Sequence, residues 1–142
     1  MRRYMLIIST ILLVLFNGVP AQAETSQFDG TWNVTLTCER AFNAPEYTYK
    51  IVARVKDGML LGQYGEENKP GYLKITGQIE PNGSSMLQAT GEIGKATPKG
   101  SVTGSAYSYA VKAQFKDSQG TGSRMSSGSK VYRHCDFVFV KQ

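Results

Sequence analysis

An all-β fold, a single antiparallel up-and-down β-barrel of about eight strands closed by a disulfide between its first and last strands, is what this sequence predicts. Three observations point to it. Short segments alternate apolar and polar residues with a period of two. Turn-forming residues separate those segments at short intervals. The two cysteines, Cys38 and Cys135, fall near the start and the end of the strand series. No long window carries the apolar stripe of an amphipathic helix.

The first strand is expected over Trp32–Cys38, where Trp32, Val34, Leu36 and Cys38 alternate with Asn33, Thr35 and Thr37. The second runs over Tyr47–Lys56, with Tyr47, Tyr49, Ile51, Ala53 and Val55 on one face. Asp57-Gly58 is a strong hairpin signal, and Met59–Tyr64 follows as the third strand. Leu73, Ile75, Gly77 and Ile79 mark the fourth, ended by the turn Pro81-Asn82-Gly83. Met86–Glu92 is the fifth, and the alternation from Tyr107 to Phe115 the sixth. A turn at Asp117–Gly120 precedes a weaker seventh strand at Gly122–Ser126, and Val131–Lys141 is the eighth.

Eight antiparallel strands joined by local turns form either a closed barrel or a sandwich of six or seven strands. The cysteines favour the barrel, because its last strand must pair with its first. Closure also removes both sheet edges, which otherwise invite aggregation. The expected inward set is Trp32, Val34, Leu36, Tyr49, Ile51, Val55, Leu60, Leu73, Ile75, Ile79, Leu87, Tyr107, Tyr109, Val111, Phe115, Phe137 and Phe139. An eight-stranded barrel is just wide enough to be filled by such side chains or to hold one small ligand.

The N-terminal segment has a different character. Arg2 and Arg3 precede a nearly unbroken apolar run from Met5 to Phe16. That run is short for a membrane span, which needs about 20 residues. Asn17, Gly18 and Pro20 interrupt it, and Ala21-Gln22-Ala23 supplies small residues at the positions a signal peptidase reads. Residues 1–23 are therefore expected to be a signal peptide, and 24–142 the β-barrel domain. The expected location is the periplasm or the exterior, with no stable membrane anchor. In an oxidising compartment a lone cysteine pair is normally bonded. A metal site would be the alternative, but one histidine and no close Cys-x-x-Cys argue against it. Across so long a loop the bond is worth about 4–5 kcal/mol in the chain-entropy account.

The chain has 16 basic and 11 acidic side chains. Losing Arg2 and Arg3 leaves 14 against 11, a net charge of +3. The remaining lysines and arginines are scattered singly, so the basic stripe of a nucleic-acid binder is missing. No phosphate-cradling glycine loop, catalytic carboxylate pair or metal cluster stands out, and no cofactor is implied.

Three constellations are candidates for chemistry. His134 and Asp136 share the outer face of the last strand. Such a pair orients a base in nucleophilic catalysis, but no serine or cysteine nucleophile is placed beside it by a recognisable turn. Arg133 falls on the inner face next to Cys135, and Arg124 repeats this on strand seven. A guanidinium fork there suits a carboxylate or phosphate; it equally suits the barrel rim or an acid such as Glu39. Tyr47, Tyr49, Tyr107 and Tyr109, four of the eight tyrosines, face inward and bring hydroxyls that need partners. The long connection Glu39–Glu46, with Arg40, Phe42 and Pro45, would lie over a barrel mouth; Glu92–Gly104 reads as another mobile connection, and both also read as ordinary surface loops.

Gly30-Thr31-Trp32-Asn33 resembles the opening of avidin-like and lipocalin-like barrels, in which a Gly-x-Trp starts the first strand and the Trp plugs the barrel base. Asp57-Gly58 with Leu60, Gly62 and Tyr64 resembles the second avidin hairpin. The departure is at the ligand: avidins wall biotin with several tryptophans, and this chain has Trp32 alone. The run from Phe28-Asp29-Gly30-Thr31-Trp32 through Cys38 to Cys135 also resembles small exported bacterial β-barrel proteins of unassigned function.

The functional expectation is a non-catalytic exported barrel that binds a small ligand in its mouth, with Trp32, Tyr49, Tyr107, Tyr109 and Arg133 as ligand-binding residues. The alternative is a protein-binding module, such as an inhibitor of a secreted or host enzyme, using the Arg40–Glu46 loop. A hydrolase built on His134 and Asp136 is a third, weaker alternative. Expression into an oxidising periplasm should give a denatured mass matching residues 24–142 less two hydrogens; retention of residues 1–23 or of both thiols would contradict this.

Overall fold

The computed structural model describes residues 26–41, 44–95, 102–125 and 133–142. The expected signal peptide, residues 1–23, lies outside them, as does Phe42. After a 3-10 turn at Ser26–Phe28 come eight strands: β1 (Gly30–Cys38), β2 (Tyr47–Lys56), β3 (Met59–Tyr64), β4 (Leu73–Gln78), β5 (Ser84–Glu92), β6 (Ala106–Lys116), β7 (Gln119–Arg124) and β8 (Cys135–Lys141). Each pairs antiparallel with the next, and β8 pairs with β1, so the sheet is a closed barrel in simple sequence order. Among the described residues no helix is long and apolar enough to cross a membrane.

Closure follows from register. Trp32 lies opposite Lys141, Val34 opposite Phe139, Leu36 opposite Phe137 and Cys38 opposite Cys135. The Glu39 N–H donates to the His134 carbonyl at 3.0 Å, which makes the cysteines a non-hydrogen-bonded cross-strand pair. Such pairs bring Cα atoms closest, here to 4.1 Å, and the two sulfurs are bonded.

The two ends of the barrel differ. At one end, the base, β2–β3 and β6–β7 are joined by two residues each, Asp57-Gly58 and Asp117-Ser118, and β4–β5 by residues 79–83. The other end, the mouth, carries the long connections 39–46, 65–72, 93–105 and 125–134. Asp57 and Gly58 both take positive φ, 51° and 76°, the geometry whose twist suits a two-residue hairpin. The Asp29 carboxylate fixes this turn from outside the sheet: Oδ2 accepts from the Asp57 N–H at 2.9 Å and Oδ1 from the Gly58 N–H at 3.0 Å.

The base is filled. Trp32 is fully buried and donates its indole N–H to the Phe28 carbonyl at 2.8 Å. It meets Phe115 edge-on at 5.4 Å, and Phe115 packs against Phe28 and Phe139. Above this aromatic layer lie Val34, Leu36, Ile51, Ile75, Leu87, Val111 and Phe137, all buried. The expected inward residues are all in this core or packed against it, joined by Phe28, Ala53, Ala89 and Ala113.

Strand seven departs from the expectation. It begins at Gln119, not Gly122, because the turn needs only Asp117-Ser118, with Asp117 at φ 53°. Gly120 reads as a turn residue but is an inward strand position opposite Phe115. A Cβ on Gly120 would sit 2.7 Å from the Phe115 ring, so the glycine makes room for the aromatic. Its expected end, Ser126, lies outside the described residues. Strand eight begins at Cys135, later than Val131; Val131 also lies outside the described residues, and Arg133 and His134 precede the strand.

Asp29→Ala leaves two backbone donors of the β2–β3 turn without their acceptor. It should cost about 1–2 kcal/mol and lower the melting temperature by several degrees, with Asp29→Asn recovering part of the loss; thermal denaturation reads this directly.

Candidate functional site

The mouth end of the inner face changes character from aliphatic to phenolic. Along β2, Val55, Ala53 and Ile51 are buried, and the next two inward positions are Tyr49 and Tyr47, both half-buried. Along β6, Phe115, Ala113 and Val111 give way to Tyr109 and Tyr107. In a ring of eight strands, β2 and β6 are four apart, so the two tyrosine pairs face each other across the barrel.

The rings of each pair are in contact along their strand, stacked for Tyr107 with Tyr109 and tilted for Tyr47 with Tyr49. Tyr107 and Tyr109 are nearly parallel, 7° between planes with centroids 6.0 Å apart, and Tyr47 and Tyr49 are 4.8 Å apart. Tyr49 also stacks on Tyr64, the last residue of β3, at 4.1 Å and 12°. Tyr64 shares the inward parity of Leu60 and Gly62 on β3, and that alternation was the signal available for it. Tyr107 lies over its register partner Gly91, where a Cβ would fall 2.6 Å from the phenol oxygen.

Two arginines complete the ring. Arg124 ends β7, and its guanidinium carbon sits 4.3 Å from the Tyr109 ring centroid. Arg133, just before β8, sits 5.1 Å from the Tyr47 ring centroid. Both distances are those of a cation on an aromatic face. The inward position of both arginines agrees with the alternation, and Arg133 rests on Tyr47.

Burial sets the protonation of these phenols. Tyr47, Tyr49, Tyr107 and Tyr109 are all pushed above the ordinary phenol value, foremost because removal from water penalises the phenolate. For Tyr107 and Tyr109 the shift is large, and neighbouring phenols add to it. Both guanidiniums pull Tyr47 back down without reversing the shift. At neutral pH the cluster therefore presents uncharged hydroxyls and guanidinium charge. The Tyr109 hydroxyl is buried and meets no hydrogen-bond partner among the described residues, a condition that native proteins mostly avoid.

Of the expected binding residues, Tyr49, Tyr107, Tyr109 and Arg133 are gathered at the mouth, together with Tyr47, Tyr64 and Arg124. Trp32 is not among them. Its hydrogen bond to Phe28 and its contact with Phe115 hold it at the base. His134 and Asp136 approach to 3.1 Å but lie on the outer face, about half exposed, away from the inner cluster. The outer face also carries an open groove over β5–β8, bounded by Met86, Lys112, Ser123 and Asp136, in which no aromatic residue participates. Among the described residues no group of three or more His, Cys, Asp or Glu is placed to hold a metal ion.

No protein-family model matches this chain, and no curated protein or solved structure matches it.

The raised phenol values predict an alkaline limit to stability. Above about pH 10 the unfolded chain releases phenol protons that the native state keeps, so the native state binds more protons and stability falls as pH rises. Tyr109→Phe should flatten that fall. At neutral pH it should be neutral or mildly stabilising, because the hydroxyl removed has no partner to lose. Melting temperature against pH for both proteins checks this; parallel curves would show that Tyr109 is not coupled to folding.

Proposed function

We propose that this protein is an exported, non-catalytic barrel that holds a small ligand at its mouth, among Tyr47, Tyr49, Tyr107, Tyr109, Arg124 and Arg133. One observation carries the reading: the tyrosine pairs on opposite walls, with two arginines laid against them, stand at the long-loop end of a barrel filled elsewhere by apolar side chains. A core whose only task is packing gains nothing from half-buried phenols and guanidiniums, whose partial desolvation must be offset by specific contacts. Few polar groups converging on an apolar and aromatic lining is the usual composition of a small-molecule site. Trp32 serves as the plug of the opposite end.

Export into the periplasm or beyond accords with the bonded cysteines and with the signal-like segment at residues 1–23. The likeness of Gly30-Thr31-Trp32-Asn33 to avidin-like and lipocalin-like openings supports the same assignment, since those barrels use one end for a ligand and the other for a plug.

Native mass spectrometry of the disulfide-intact protein, set against its denatured mass, tests the proposal. A ligand held in the mouth should appear as a mass increment of a few hundred daltons in the native spectrum only, and Tyr107→Leu should lose it. An unliganded native mass, persisting after incubation with a small-molecule extract, would overturn the reading in favour of a protein-binding module.

A further inference from the structure

Charge and hydrogen-bond chemistry at the mouth narrow the ligand further. Two guanidiniums bear on one small ring of side chains, and both act on the Tyr47 hydroxyl. The inward-facing positions among the described residues include no Asp or Glu: β1 contributes Trp32 to Cys38, β2 Tyr47 to Val55, β5 Ser85 to Gly91 and β6 Tyr107 to Phe115. Glu39, Glu46, Glu66, Glu67 and Glu92, the acids nearest in sequence, are outside that set, and all but Glu92 are exposed. The phenols add no negative charge, since a phenol is neutral at neutral pH and burial disfavours its ionisation further. The inner surface at this end is therefore cationic, and its remaining polar groups are hydroxyl donors.

The buried Tyr109 hydroxyl is the second observation. It lies beside Arg124, whose guanidinium rests on the same ring, and has no acceptor among the described residues. A hydroxyl next to a cation, itself short of an acceptor, is matched by an anionic oxygen. The third observation is shape. The nearly parallel pairs, Tyr107 with Tyr109 and Tyr49 with Tyr64, make the mouth lining aromatic on opposite walls, and an aromatic lining favours a planar unsaturated body over a bulky saturated one.

We infer that the mouth takes a small aromatic carboxylate, its carboxylate held by Arg124, Arg133 and the Tyr109 hydroxyl and its ring lying among the tyrosines. This inference rests on the ligand-binding reading above and specifies its chemical class. Charge-assisted bonds from guanidinium to carboxylate are the strong class of hydrogen bond. They gain further in a partly desolvated mouth, where the field of both arginines is little screened.

Isothermal titration of the disulfide-intact protein tests it with four probes: 4-hydroxybenzoate, the neutral 4-hydroxybenzyl alcohol, the non-planar cyclohexanecarboxylate and inorganic phosphate. 4-Hydroxybenzoate should bind at least about tenfold more tightly than each of the others, and added salt should weaken it. Tyr109→Phe, which keeps the ring and the packing, and Arg133→Gln should each weaken it about tenfold, with thermal melts confirming that both variants fold. Equal binding of the alcohol overturns the anionic half of the inference, and equal binding of cyclohexanecarboxylate or phosphate overturns the aromatic half. Silence of all four probes, with an adduct still seen by native mass spectrometry, overturns the ligand class and leaves the mouth as a site. Silence in both experiments overturns the site itself.

Discussion

The pairing of β8 with β1 is the constraint on which the rest of this structure depends. A sheet of eight strands left open would expose two edges and let each strand slide against its neighbour. Closing the ring fixes every register at once, because a slip of one residue anywhere would turn a whole strand inside out. The Cys38–Cys135 bond locks this pairing at the mouth end. The base needs no such bond. There the hairpins are short, and the chain before β1 folds under the barrel, with Phe28 buried and Lys141 reaching the Gln27 carbonyl at 3.2 Å.

The ring also assembles the tyrosine–arginine cluster. Tyr47 and Tyr49 are far in sequence from Tyr107 and Tyr109, and they face one another only because β2 and β6 lie across a closed circle of eight. In a flat sheet with the same strand order the two pairs would stand four strands apart on one surface, each in contact with water. Closure converts them into opposed walls, raises the cost of ionising them, and brings Arg124 and Arg133 onto their faces. The raised phenol values are therefore a product of topology as much as of residue type.

Apolar packing and the tyrosine–arginine cluster are divided along the barrel axis. The base carries the large apolar contacts: Trp32, Phe115, Phe137 and Phe139, with Gly120 and Gly62 set opposite bulk so that the interior fills without overlap. Those contacts support a mouth whose composition is not optimal for folding, with guanidiniums partly removed from water and a buried hydroxyl that meets no partner among the described residues. Native proteins tolerate such defects chiefly where function uses them. The division also explains why Trp32, although the largest inward side chain, plays its part in packing and not in the mouth cluster.

Period-two alternation made the strands legible because a half-buried strand writes its two faces into the sequence one residue at a time. Strands β2 and β3 therefore emerge with the expected bounds, and the inward set is the observed core. The alternation failed at β7, where Gly120 and Gly122 have no side chain to declare a face. Their role is set by Phe115 and Ala113 on the neighbouring strand, which no local pattern records. The sequence by itself determined which residues point inward, the four tyrosines and two arginines among them, and that the cysteines belong to partner strands. Tertiary structure alone decided which of them meet. Parity assigns a residue to a face but not to a depth or an azimuth, so only the closed ring could separate Trp32 at the base from the mouth cluster, add Tyr64 to the tyrosine stack, and set two arginines against opposed phenols.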